Sequence, residues 1–160
     1  MHFISRQCFR QQISCLFFCS GGGIGRGVIT MISALKNGYV TEQMFIVEAM
    51  KNDITVSKPV TNTEIYDFIV DCNNKLFTVQ VKKSWDDKKG RHIVSLRGRY
   101  PRSNIRHNLS DRVDFLATYC NGENNWYIIP THEIKDINSN IAIRNTGNYA
   151  KYINNWNFNI

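Results

Sequence analysis

The sequence predicts an α/β fold with a central mixed β-sheet flanked by α-helices. Three observations predict it: a stretch of helical periodicity, a series of short apolar runs bounded by turn residues after it, and a length of 160 residues, which suits one core. The first 30 residues stand apart, with three of the five cysteines, no acidic residue and the glycines Gly21, Gly22, Gly23, Gly25 and Gly27. They are expected to be a disordered or misannotated extension, with Met31 as an alternative start and residues 31–160 as the folded domain. The apolar run at 13–19 follows Arg6 and Arg10 like a leader, but it is short, is interrupted by Ser14 and falls far below a bilayer's thickness. The glycine cluster lacks the preceding strand and the following Lys-Ser/Thr pair of a phosphate-binding loop.

Residues 41–51 place Met44, Val47 and Met50 along one helical face with Phe45 and Ala49 beside it. The helix should end at Asn52-Asp53, whose side chains compete for backbone hydrogen bonds. Residues 54–57 alternate apolar with polar as a strand that stops before Pro59. Residues 66–70 form a second strand, Asn73-Asn74 a tight turn, and residues 76–81 a third strand. Residues 113–119 and 126–129 read as two more strands around Asn121-Gly122, ending at Pro130. A helical turn at 131–135 and a terminal helix at 148–156 complete the chain.

The net charge is +7 and the pI about 9.3, a balance that favours polyanionic partners because Lys and Arg displace counterions from phosphates. Its distribution says more than its size. Nine of the 20 basic residues (Lys82, Lys83, Lys88, Lys89, Arg91, Arg97, Arg99, Arg102 and Arg106) fall between positions 82 and 106, against only Asp86 and Asp87. A solvated loop would look the same, but this cluster adjoins the candidate catalytic strand, which favours a DNA contact. Lys83, Lys88, Lys89, Arg91 and Arg106 belong to that surface, and Arg97, Arg99 and Arg102 are the preferred phosphate or base-edge contacts. The five cysteines have neither disulfide nor zinc-ligand spacing, and Cys72 and Cys120, next to apolar runs, read as reduced thiols in or near the core.

The chemistry concentrates in Tyr66-Asp67-Phe-Ile-Val-Asp71 and Val79-Gln-Val-Lys82. Alternate strand residues share a face, so Gln80 and Lys82 project together while Val79 and Val81 enter the core. Pairing of the two strands brings Asp67 to the same end. The Asp67 carboxylate, the Gln80 amide oxygen and the Val81 backbone carbonyl are three hard oxygen donors, suited to Mg²⁺ with octahedral coordination at about 2.1 Å. Lys82 would orient an attacking water and stabilise developing negative charge. Singly, Asp67 reads as a strand-end carboxylate and Lys82 as an exposed cation; jointly, in this order and spacing, they read as a phosphodiesterase site.

These stretches, with Lys36-Asn-Gly-Tyr-Val-Thr-Glu42, Asp114-Phe-Leu-Ala-Thr-Tyr119 and Trp126-Tyr-Ile-Ile-Pro130, resemble the PD-(D/E)XK nuclease superfamily, and within it the small endonucleases encoded in group I introns. The resemblance spans roughly residues 34–134. It implies a restriction-endonuclease-like core, a Mg²⁺ cofactor for which Mn²⁺ can substitute, and Glu42 as the helical acid that completes the metal site. Two departures are visible: Gln80 replaces the acid of the acid-x-Lys pair, removing one negative charge from the site, and Tyr66 stands where the motif name has Pro.

The implied activity is hydrolysis of double-stranded DNA, with homing of a mobile intron as its role. Cutting both strands calls for two sites and therefore a homodimer or homotetramer. No membrane partner is expected, and the cytoplasm (at the nucleoid) or an organellar matrix or stroma is the expected location, not the secretory route. A Holliday-junction resolvase, a restriction or repair nuclease of the same superfamily and a catalytically silent DNA-binding module are the rivals. Glu48 is expected at the surface on another helix face, Asp71 at a turn, His92 and His107 at the surface and His132 at a helix start. Trp85 either stacks on a nucleotide or packs at the core edge.

Overall fold

The computed structural model describes residues 26–61, 63–87, 89–97, 109, 112–137 and 139–158, with side chains from residue 35 onward. The chain divides into two units, Met1–Ile32 and Ser33–Ile160. In the first, the described residues 26–32 are helical; all packing below lies within the second. The expected extension, residues 1–30, falls mostly outside the described residues.

Helix α1 runs Arg26–Lys51. Among the described residues seven strands follow: β1 Thr55–Ser57, β2 Phe68–Cys72, β3 Lys75–Asp86, β4 His92–Ser95, β5 Phe115–Cys120, β6 Asn125–Pro130 and β7 Asn140–Ile143. They form one mixed sheet. β3 is its spine, antiparallel to β2 and β4 and parallel to β5, while β6 pairs with β5, β7 with β4 and β1 with β2. Among the described residues α1 is the one α-helix, so the expected flanking by several helices is corrected to one helix on a mostly antiparallel sheet. The expected terminal helix at 148–156 is a short 3-10 turn, Ala150–Tyr152, followed by a bridge from Ile153 to Tyr127. Asparagines supply left-handed turns here more cheaply than helix: Asn154 has φ +48° and its carboxamide receives the Trp126 N–H.

Of the two neighbouring apolar faces of the helix, the one carrying Phe45 and Ala49 is fully buried, and Met44 packs partly against the same core. Thr41, Phe45 and Ala49 are buried at four-residue spacing, whereas Val47 and Met50 are 53% and 64% exposed. Aromatic packing decides this. Phe45 stacks on Phe68 with ring centroids 5.4 Å apart and meets Trp126 and Trp156 at 5.6 Å each, so its burial outweighs that of two smaller side chains. The Thr41 hydroxyl, buried in the same stripe, is satisfied by the Asn37 carbonyl at 2.9 Å. At the far end Ile54 N–H bonds back to the Ala49 carbonyl and Asp53 takes φ +58°, a left-handed cap that turns the chain into β1.

β5 and β6 are buried on both faces. Phe115, Ala117, Trp126 and Ile128 join the core beneath α1, while Leu116, Cys120, Tyr127 and Ile129 pack with Val94, Ile141 and Ile143 from β4 and β7. That double burial explains why these strands read as continuous apolar runs rather than alternating ones. The hairpin between β2 and β3 turns on Asn73 and Asn74 at φ +54° and +59°, the two left-handed positions of a two-residue loop.

β4 and β7 are the strands missed from sequence, being four residues each. β4 lies inside the basic segment, and with it His92, expected at the surface, is buried, its Nδ1 2.6 Å from an Asp86 carboxylate oxygen. Trp85 is 48% exposed and is not packed into the core. No helix among the described residues is long and apolar enough to cross a membrane.

Candidate active site

The site arises where the sheet parts. β2 pairs with β3 from Cys72↔Lys75 to Phe68↔Val79, and Asp67 N–H still reaches the Val79 carbonyl at 2.9 Å. Beyond Val79, β3 continues with β5 along its other edge. The edge facing β2 is therefore met at Val81 not by a strand but by a side chain: the Asp67 carboxylate oxygen Oδ2 accepts the Val81 N–H at 2.7 Å. A residue's N–H and C=O leave an extended strand on the same side, so the Val81 carbonyl faces the same gap. Parallel pairing fixes where the gap falls: Asp114 Oδ2 accepts both the N–H and the hydroxyl of Thr78, at 2.8 and 2.9 Å, and locks the start of the β3–β5 ladder.

Val79 and Val81 are buried under α1, and Gln80 and Lys82 alternate to the other face, as expected from the sequence. The Gln80 amide nitrogen lies 2.5 Å from Asp67 Oδ2 and 3.4 Å from the Val81 carbonyl. Two acceptor oxygens thus converge on one electropositive group. A half-turn of the amide brings its oxygen to the same place, giving a carboxylate, an amide and a backbone carbonyl oxygen around one point. This donor set suits a hard divalent cation held partly by water, and not zinc or copper. Among the described residues no cluster of three or more His, Cys, Asp or Glu side chains is placed to hold a metal.

Burial raises Asp67 to a pKa of about 6; the Val81 N–H opposes the shift, the negative charge of Glu42 adds to it, and the cations Lys82 and Lys58 oppose it. Burial likewise lowers Lys82 below the usual lysine range, while Asp67 pulls it back up. Each side chain thus acts on the other's charge.

Glu42, on α1, is held by Lys58 at 2.9 Å and shares a cleft of about 490 Å³ with Asp67, Tyr39, Lys58, Glu64 and Tyr66. Gln80 and Lys82 do not line that cleft; they lie on the β3 side of Asp67. Lys58, Tyr39 and Glu64 were not singled out from sequence. Lys58 lies 16 residues from Glu42, and no spacing rule ties a residue after a short strand to a helical acid.

The basic segment is placed only in part. Lys83 within β3, Lys89 and Arg97 are exposed, and Arg91 commits its Nε to Asp87 at 2.5 Å. Lys88, Arg99, Arg102, Arg106 and His107 lie outside the described residues. His132 is the second residue of the short 3-10 turn Thr131–Ile134, Glu48 pairs with Lys51 on the surface, and Asp71 is an exposed β2 residue beside the turn.

Residues 32–159 match the PD-(D/E)XK endonuclease family. Among solved structures the fold is similar to that of the bacterial homing endonuclease I-Ssp6803I, with 26% identity and a TM-score of 0.59, over 74% of this chain and 85% of that one. No curated protein matches the chain.

Proposed function

The chain belongs to the PD-(D/E)XK endonuclease family, and on that premise we propose that it is a Mg²⁺-dependent endonuclease of double-stranded DNA, with Mn²⁺ able to substitute, acting as a homing endonuclease. The likeness to a bacterial homing endonuclease supports the finer role. The observation that carries the reading is the convergence of Asp67 Oδ2 and the Val81 carbonyl on the Gln80 amide at the parting of β2 from β3. Asp67, Gln80 and the Val81 carbonyl would hold the ion, with Glu42 joining from α1. When bound, the ion supplies charge neutralisation of the scissile phosphate and lowers the pKa of a bound water.

The chain's own residues do the rest. The Val81 N–H fixes the Asp67 carboxylate, so that it is presented without a search over rotamers. The Lys82 ammonium, partly desolvated beside Asp67, orients the attacking water and meets the charge that grows on the phosphate. Lys83, Lys89 and Arg97, with Lys88, Arg91, Arg99, Arg102 and Arg106, bind the DNA backbone around it. Duplex cleavage then uses two copies, as a homodimer or homotetramer.

The testing experiment incubates supercoiled plasmid and a random-target duplex library with the protein and Mg²⁺ or Mn²⁺, beside Asp67→Ala and Lys82→Ala. Cleavage by the wild type alone supports the reading. DNA binding without cleavage in every preparation would favour a catalytically silent module, and preference for four-way junctions a resolvase.

A further inference from the structure

The ion pair between Lys58 and Glu42 is unusual in its setting. It lies in the same cleft as Asp67, so a cation already occupies one carboxylate that a divalent ion would need. The backbone puts it there: β1 pairs Ser57 with Ile69, which brings the next residue, Lys58, level with Phe68, and Pro59 ends the strand. The ammonium lies 5.6 Å from the Phe68 ring centroid and 5.8 Å from that of Tyr39, so two aromatic rings wall the position on its apolar side. Only one of its three donors is used among the described residues, on Glu42. With the lysine 43% and the glutamate 25% exposed, the pair is weak enough to be given up.

Resting on the nuclease reading, we propose that Lys58 is a further residue of the active site: a counter-ion that holds Glu42 in the metal-free protein and, once a divalent cation takes that carboxylate, turns to contact a phosphate of the DNA backbone. The exchange conserves charge. Glu42 passes from one cation to another, and the freed ammonium meets the phosphate that arrives with the DNA. Its long flexible stem makes this reorientation possible without movement of β1.

The test uses the full chain, with Lys58→Met and Lys58→Arg. Mn²⁺ is titrated by calorimetry without DNA, and binding of a plasmid-derived duplex is measured in Ca²⁺ over a salt series. Lys58→Met should bind Mn²⁺ roughly threefold to tenfold more tightly, since the competitor for Glu42 is gone. In a Glu42→Gln background most of that gain should vanish. The same Lys58→Met should bind duplex more weakly with a salt slope lowered by about 1, and Lys58→Arg should restore it. Unchanged or weaker Mn²⁺ binding in Lys58→Met, or unchanged duplex affinity and slope, overturns the proposal, as does a change in thermal stability alone. Wild-type cleavage of the plasmid, measured in parallel, separates the two readings: if it persists, those outcomes overturn only the role of Lys58, whereas its absence overturns the nuclease reading and this one with it.

Discussion

The carboxylate of Asp67 takes the place of a strand: it accepts the Val81 N–H at 2.7 Å where β2 has left the edge of β3. This one contact makes the acid both a structural cap and the proposed metal ligand, and it gives Asp67 a measurable signature without any metal.

Asp67 has a folded pKa of about 6, above the ordinary carboxylate value of 3.8, chiefly because it is buried. The folded state therefore holds the proton more tightly than the unfolded chain. The stability linked to that proton is fully present below pH 3.8 and is lost as pH rises through 6, on the order of 3 kcal/mol. In EDTA, Asp67→Asn should match the wild type in urea denaturation near pH 4 and exceed it near pH 7.5 by about 2 kcal/mol. A variant less stable than the wild type at both pH values would refute the burial argument.

Gln80→Glu restores the acid-x-Lys pair and puts a second carboxylate within 2.5 Å of Asp67. Two acids that close share a proton in the absence of metal, and together bind a divalent ion better than an acid and an amide. Calorimetric Mn²⁺ affinity should rise by about tenfold, while metal-free stability at pH 7.5 falls by about 1 to 2 kcal/mol. Equal Mn²⁺ affinity in the two proteins would mean that residue 80 does not face the ion.

Lys82→Ala should lower single-turnover cleavage by about 10² to 10⁴ while duplex affinity in Ca²⁺ changes by less than about threefold. Parallel losses in affinity and rate would reassign Lys82 to DNA binding.

The burial of α1 gives a stability test. Phe45→Ala removes a ring packed on Phe68, Trp126 and Trp156 and should cost about 3 to 5 kcal/mol, whereas Met50→Ala, at a 64% exposed position, should cost under about 0.5 kcal/mol. Comparable losses would place Met50 on the buried face.

What the sequence revealed tracks how local each signal is. The shared face of Gln80 and Lys82 on β3 was legible because two-residue periodicity within one strand needs no tertiary information, and the Asn73-Asn74 turn because left-handed asparagines define their own turn. Periodicity marked α1 as a helix but left its buried face open, because Met44, Val47 and Met50 satisfy it as well as Phe45 and Ala49 do; the choice is made by aromatic partners up to 111 residues away, Trp126 and Trp156. β4 and β7 escaped notice because four-residue strands beside basic and asparagine-rich stretches carry too little apolar alternation. His92 followed β4 into the interior. Lys58 left no trace in sequence, since its place depends on the register of β1 against β2.

The most direct test of the central claim is cleavage of a duplex library in Mg²⁺ by wild type and Asp67→Asn, both shown folded by circular dichroism. The account predicts defined double-strand breaks from the wild type and none above background from Asp67→Asn. Equal cleavage by both proteins, or none by either in Mg²⁺ and Mn²⁺, would contradict it.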